Sequence, residues 1–351
     1  MKAETRQKPG LGTRIRGRAE RWLRHRRFMR SISHLHGPRR INAQPTDVTV
    51  VALVRDGMFY LEEFLKYYRD LGAHSFVFFD TGSTDGTVER LKQETDVSIL
   101  QSPLPWGEFE SDFRNYAATE LCMGHWVLYA DMDELFCFEG QDQIGLTGLT
   151  RYLQTEGYTG LVAQMLEMVP DEPLAQAATW PYSDVLERFT FYDVTDVIDR
   201  DYFQPEAKFG WFLRDNTLGS DQIRVKMGGL RHKFFGEMCC LTKHPLVFVD
   251  GHTQPGVHPH CASNVRTADF TALIKHYKFA NDTLSRDRES VATQAIHHGE
   301  DALRLKRMSE DSALSLRSDS AQAFAGVGPL QQQGFLVASQ RFRDFIARFD
   351  T

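Results

Sequence analysis

No stretch of this 351-residue chain is apolar over the roughly 18–20 residues that a bilayer crossing needs, so no membrane-spanning helix is expected. The amino end is basic but has no apolar h-region, and no secretory signal is read there. Cysteine is scarce. Cys122, Cys137, Cys239, Cys240 and Cys261 form an odd set whose spacings match no zinc ligand pattern, which points to reduced thiols in a cytosolic protein. There is no internal repeat. What is present in quantity is apolar: hydrophobic residues make up 42% and aromatics 12%, which excludes global disorder and supplies a sizeable core for one large domain with appendages or for two ordinary ones.

Positive charge is scarce in the body and concentrated at one end. Residues 1–40 hold 13 Lys+Arg against Glu4 and Glu20, a net of +11; the rest of the chain holds 28 Lys+Arg against 45 Asp+Glu, a net of −17. The arm sets Arg14, Arg16, Arg18, Arg21, Arg24, Arg26, Arg27 and Arg30 around Ile15, Trp22, Leu23, Phe28 and Met29. That pattern reads either as a basic, partly amphipathic helix on an anionic membrane surface or acidic polymer, or as a solubilising tail. A cytoplasmic protein, peripheral on the inner face of the membrane if the arm binds lipid, is the expectation. No nucleic-acid partner is expected. Pro38 and Pro45 bracket a linker to the body.

From Thr46 strands and helices alternate. Val48 to Val54 reads as a buried strand, followed by helical spacing at Leu61, Phe64, Leu65, Tyr68 and Leu71 with Gly72 where a helix C-terminus favours glycine. Further strands are expected at 75–79, 97–100 and 126–130, and helices over 88–95 and around 113–122. This alternation predicts a parallel, doubly wound sheet with a nucleotide-type ligand at the carboxyl edge. Beyond residue 140 the pattern weakens, with strands expected over 161–169 and 245–249. Residues 266–351 read as mainly helical and polar.

The strand Trp126–Ala130 runs straight into Asp131, Asp133 and Glu134. Carboxylates crowded at the end of a buried strand repel and desolvate one another, and a hard cation such as Mg²⁺ or Mn²⁺ removes that penalty. Alone, the cluster reads first as a solvated acidic turn after a strand. The loop Asp80–Thr87, DTGSTDGT, follows a strand and opens a helix. Its glycines allow a tight turn, Ser83, Thr84 and Asp85 can cap the helix, and an acid here can accept hydrogen bonds from a nucleobase or ribose.

Taken in order, RDGMFYLEEFLKYYRDLG, FFDTGSTDGT, FRNYA and WVLYADMDEL resemble the successive blocks of glycosyltransferase family 2, in particular its bacterial branch with a D-x-D-E motif. GGLRHKFFGE, KHPLVF, GVHPH and LIKHYKF are similar to later blocks of that branch, so the resemblance spans roughly 48–310. It implies an α/β protein of GT-A fold: a Rossmann-like, mostly parallel sheet with helices on both faces and a helical C-terminal extension. The implied divisions are a basic arm (1–45), a catalytic domain (46–265, with a nucleotide-sugar half to 140 and an acceptor half from 141) and the extension (266–351).

The resemblance also implies roles. Asp80, Ser83 and Asp85 would bind the nucleoside, with Arg55 and Asp56 beside the base, although Arg55-Asp56-Gly57 stands where the family usually has Arg-Asn-Glu. Glu62 would be structural and Arg114 would hold the diphosphate. Asp131 and Asp133 match the metal-binding pair for Mn²⁺ or Mg²⁺, Asp131 also touching the donor, and Glu134 is the branch's extra acid. His258 and His276, among the late histidines His252, His258, His260 and His276, would complete the metal shell or serve as structural hydrogen-bonders. Inverting displacement requires a carboxylate base on the acceptor hydroxyl. Glu167, Asp171 and Asp193 are the candidates and Glu167, at a strand end, leads. The family's Q-x-x-R-W element is missing. The implied reaction moves a sugar from a nucleoside-diphosphate sugar to a glycan or lipid-linked acceptor. The rival readings are a haloacid-dehalogenase-type phosphatase, whose motif wants Thr or Val where Leu135 stands, and a nucleotide-sugar-binding protein without turnover.

Overall fold

A computed structural model describes residues 11–293 and 299–349. Its centre is one nine-stranded sheet. In chain order the strands are β1 (Ser33–His36), β2 (Val48–Val54), β3 (Ser75–Asp80), β4 (Val97–Gln101), β5 (Trp126–Tyr129), β6 (Glu134–Cys137), β7 (Gly160–Glu167), β8 (Thr242–Phe248) and β9 (Thr267–His276). Across the sheet they lie β1-β4-β3-β2-β5-β8-β7-β9-β6. Strands β2, β3, β4, β5, β7 and β9 run one way; β1, β6 and β8 run the other. The sheet is therefore mostly parallel, as the strand–helix alternation predicts.

The near-continuous apolar runs of β2, β3 and β5 follow from burial on both faces. Val50, Ala52, Phe76, Phe78, Trp126 and Leu128 point into one core with Leu61, Phe64 and Tyr68 of helix α2 (Met58–Asp70). Their alternate neighbours Val51, Leu53, Val77, Phe79, Val127 and Tyr129 point into the other, with Phe109 and Phe113 of the helix Trp106–Tyr116. That helix starts directly after Pro105, earlier than the sequence suggests, and ends in a π-turn at Ala117–Leu121. Helices thus cover both faces.

The arm is docked on the body. The helix Leu11–Ser31 buries Phe28 against Phe109, Phe113 and Tyr116, and Arg24 holds Asp112 in a two-pronged pair at 3.0 and 2.7 Å. Strand β1 then pairs with β4 at the sheet edge, so residues 33–36, placed by sequence in the arm, belong to the fold. A second correction concerns the C-terminal boundary. Residues 267–276, expected in a helical extension, form β9 inside the sheet between β7 and β6. The physical reason is legible afterwards: β-branched Thr267 and Thr271 alternate with Ala268, Phe270 and Ala272, a period of two. The remainder is mainly helical, with Thr283–Thr293, Glu300–Glu310, Val327–Gln332 and Gln340–Phe349, beside a short strand Gln322–Ala323 paired with Phe191–Tyr192. Among the described residues no helix is long and apolar enough to cross a membrane. All five cysteines are buried free thiols.

One buried pair sets a pH response. His244 on β8 has Nδ1 3.1 Å from the His260 carbonyl and Nε2 2.7 Å from the Tyr202 hydroxyl. Nδ1 donates to the carbonyl, so Nε2 accepts from Tyr202, and the ring is neutral. Burial pulls its pKa down to about 4. The unfolded chain, with histidine near 6.5, binds a proton that the folded chain refuses, so stability is full above pH 6.5 and falls towards pH 4. The expected loss from this residue is about 3 kcal/mol over that window. Urea midpoints between pH 7 and 4 check it, and His244→Gln should flatten that part of the slope.

Candidate active site

The sheet collects its charged residues at one edge. β2 and β3 end together, Val54 opposite Asp80, and β5 pairs Tyr129 with Val51, which brings Asp131 to the same edge. β8 runs antiparallel with Leu246 opposite Leu128, so its first residues, including Lys243, arrive there too. β7 and β9 end side by side with His276 opposite Glu167, and His276 also faces Glu134 at the start of β6. Carboxyl ends of parallel strands are where ligands bind in open α/β sheets.

Around Asp131 the contacts are ionic. Arg114, almost fully buried on the Trp106–Tyr116 helix, donates to Asp131 Oδ1 at 2.6 Å and to Glu110 at 2.9 Å. Lys243 Nζ sits 2.8 Å from Asp131 Oδ2 and 2.5 Å from Glu134 Oε1. Burial pushes the Asp131 carboxyl up, but Arg114 and Lys243 together hold it well below the usual carboxylate range. Burial raises Glu134, and Lys243 opposes that. Tyr68 of α2 fixes the turn by donating to the Glu134 carbonyl at 2.9 Å.

Asp133 faces the other way. His276 Nε2 lies 3.4 Å from its Oδ2, and His276 Nδ1 lies 3.0 Å from Glu167 Oε2. Burial disfavours the imidazolium, yet Glu167 and Asp133 raise its pKa to about 9. Arg231 Nε is 2.7 Å from the other Glu167 oxygen; the approaches to Glu167 are close ion pairs whose angles fall outside those of hydrogen bonds. The array runs on inward. Arg231 lies 3.5 Å from Glu237, which lies 2.9 Å from Arg304, which lies 2.7 Å from Asp287 on the helix Thr283–Thr293. Asp133, His276, Glu167, Arg231, Glu237, Arg304 and Asp287 therefore form one buried chain of alternating charge.

The loop 80–87 is closed on itself and on the turn 55–58. Asp80 is fully buried and accepts from the Gly82 and Ser83 backbone N–H groups at 3.0 and 3.1 Å and from Gln101 at 2.8 Å. Asp56, at φ 52°, accepts from Thr84 N–H at 2.6 Å, and its own N–H donates to Ser83 Oγ. Asp85 accepts from Thr87 and from Met58 N–H; burial opposes its ionisation, but these hydrogen bonds hold its pKa below the ordinary value. Arg55 is exposed, 3.9 Å from Asp56. Asp56, Asp80, Ser83 and Asp85 thus fall into one knot at the ends of β2 and β3. Glu62, exposed on α2, pairs with Arg90.

Several expected roles do not fit this placement. Glu167 is buried between Arg231 and His276; burial pushes its pKa up, but these two cations hold it at about 2. A carboxylate so stabilised is a poor proton acceptor, since an effective base titrates near the working pH. Asp171 is on an exposed loop paired with Arg317. Asp193 is bound by Lys233, Ser318, Ser320 and Thr195. His276 has both ring nitrogens facing carboxylates, Nδ1 towards Glu167 and Nε2 towards Asp133. His258 ends the strand Gln254–His258 among the rings of Phe209, Phe212 and His260, and its Nδ1 accepts the His260 N–H. For a divalent cation the donors Asp131, Asp133 and Glu134 are of the right hard type. They are already engaged by protein cations, and among the described residues no three His, Cys, Asp or Glu side chains are grouped to hold a metal.

Lys243 is the site residue that sequence reasoning missed. A strand begun at Pro245 leaves it outside, whereas β8 begins at Thr242 and shifts register between Lys243 and Leu246, where the proline sits.

No family model matches the chain, and no curated protein matches it. Among solved structures it is similar to HddC from Yersinia pseudotuberculosis, at 11% identity and a TM-score of 0.24, covering 37% of this chain and 61% of that one. It is also similar to a UDP-glucose pyrophosphorylase complexed with UDP-glucose, at 13% identity and a TM-score of 0.20, covering 43% of this chain and 67% of that one.

Proposed function

We propose that this protein is a nucleotide-sugar-dependent glycosyltransferase related to family 2, transferring a sugar to a glycan or lipid-linked acceptor with inversion. The observation that carries the reading is the meeting, at one carboxyl edge, of the D-x-D pair at the end of β5, a buried arginine beside it and the knotted loop 80–87 two strands away. In this reading the donor lies across β2, β3 and β5, its nucleoside end against the loop 80–87 and Arg55, and Arg114 meets the diphosphate. Mn²⁺ or Mg²⁺ bound at Asp131 and Asp133 with the donor would neutralise the charge that develops on the leaving diphosphate. The chain's own contribution is orientation: Arg114 and Lys243 hold Asp131, Tyr68 fixes the turn at Glu134, and His276 faces Asp133. Of the three candidate bases Glu167 is poorly suited, because Arg231 and His276 neutralise it. The test is hydrolysis of a UDP- and GDP-sugar panel with Mn²⁺, beside a generic phosphate ester. Ester cleavage alone would favour a phosphatase, and nucleotide-sugar binding without turnover a binding protein.

The arm supports a lipid surface as the place of action. Trp22 and Leu23 are 55% and 59% exposed on a helix face shared with Arg26, Arg27 and Arg30. Leu23, Arg26, Arg27, Arg30 and Ser31 line an open cavity of about 450 Å³. Each arginine near an anionic leaflet contributes about 1 kcal/mol. Removing residues 1–40 would also remove Phe28 and β1 from the fold, so charge reversal is the cleaner probe. Arg26→Glu with Arg30→Glu is expected to abolish co-sedimentation with anionic liposomes at low salt while nucleotide-sugar hydrolysis in solution persists. A wild-type protein that ignores such liposomes would reduce the arm to a docked tail.

A further inference from the structure

The acidic cluster at the sheet edge already contains a cation. Lys243 comes from β8, whose register against β5 brings it to Asp131, so the ion pair is built into the sheet. Its ammonium also reaches Glu134, and Arg114 closes the second Asp131 oxygen. Lys243 is buried, and a buried ammonium is tolerated only when carboxylates face it.

This arrangement has a consequence for divalent cations. Mg²⁺ needs only one or two carboxylates together with substrate phosphates and waters. In the free protein Asp131, one of the two carboxylates proposed for the ion, is already neutralised together with its neighbour Glu134, and Asp133 faces His276. A dication entering alone must expel the Lys243 ammonium from its partners and leave it buried beside a double positive charge. A diphosphate changes that balance. Its oxygens offer Lys243 and Arg114 new acceptors, and the carboxylates they release become available to the metal.

We propose that Lys243 is the resident counter-cation of this cluster: it closes the site to a free divalent cation and admits one only together with a diphosphate. The closure rests on the residues themselves; the diphosphate rests on the nucleotide-sugar reading above. By linkage, metal and diphosphate raise each other's affinity by one common factor, about 5- to 150-fold for ordinary coupling.

Equilibrium dialysis of the full-length protein against Mn²⁺, with and without inorganic pyrophosphate, reads this directly and needs no turnover. Wild type is expected to retain Mn²⁺ only when pyrophosphate is present. Lys243→Gln, which frees Asp131 Oδ2 and Glu134 Oε1 while Arg114 keeps Asp131 Oδ1, should retain Mn²⁺ alone. Lys243→Arg, which keeps the charge, should behave as wild type. Thermal unfolding verifies that each variant is folded. Equal retention by wild type with and without pyrophosphate overturns the proposal, and does so even if Lys243→Gln fails to fold. So does a folded Lys243→Gln that still needs pyrophosphate. If wild type retains no Mn²⁺ in either arm while Lys243→Gln retains it alone, the closure stands and the diphosphate reading falls. No retention by any protein overturns both.

Discussion

Asp133→Asn is expected to lower sugar transfer by about 10²–10³ in kcat, the usual cost of losing one preorganised group that meets developing charge. The side chain keeps its volume and loses its charge, and His276 retains Glu167 as a partner, so the fold should persist. Asp131→Asn should cost at least as much activity and also some stability, because Asp131 neutralises both Arg114 and Lys243. Those two cations keep Glu110 and Glu134, which limits the damage. Excess EDTA should silence wild type as the Asp133 substitution does. Transfer rates beside circular dichroism and melting curves separate the cases. Full activity of either variant, or of wild type in EDTA, would remove the D-x-D pair from the mechanism.

The first half of the chain was legible because its signals are local. Val48–Val54 is apolar throughout since both its faces are buried, and Leu61, Phe64, Leu65 and Tyr68 keep the helical period that α2 presents to the sheet. The acids after β5 are equally visible, although only the neighbouring blocks set them apart from a solvated acidic turn. What the sequence hid is pairing between distant segments. Glu167 stands at a strand end as expected, but its partners Arg231 and His276 come from other elements, and they convert an apparent base into the hub of an ion array. Lys243 was hidden for a second reason: a proline marks the wrong start for a strand when a bulge accommodates it. In β9 the alternation of residues 267–272 breaks at Leu273 and Ile274, which are both buried because both faces of the strand are covered there. The Asp85, Asp56 and Asp80 contacts show the same limit. Each acid was noted, yet the contacts that tie the two turns together, Thr84 N–H to Asp56 and Met58 N–H to Asp85, join segments that no residue pattern pairs.

The buried charge chain carries the second large expectation, this time on stability. Arg304 is almost wholly buried and is the shared partner of Glu237 and Asp287. It stands on the helix Glu300–Glu310, Asp287 on the helix Thr283–Thr293, and Glu237 just after the helix Leu230–Phe235, so three segments meet at one guanidinium. Arg304→Met strands two carboxylates out of water. Breaking a buried pair in this way costs about 3–5 kcal/mol, far more than a surface pair. Glu237 keeps Arg231 at 3.5 Å, but Asp287 loses its two-pronged contact outright. Replacing all three charges, Arg304→Met with Glu237→Gln and Asp287→Asn, removes the stranded ions and should recover much of the loss. Urea midpoints of the single and triple variants decide between the two accounts. If Arg304→Met alone leaves the midpoint unchanged, the array contributes nothing to stability, and its continuity with Asp133 through Glu167 and His276 has to be explained by the chemistry at the sheet edge.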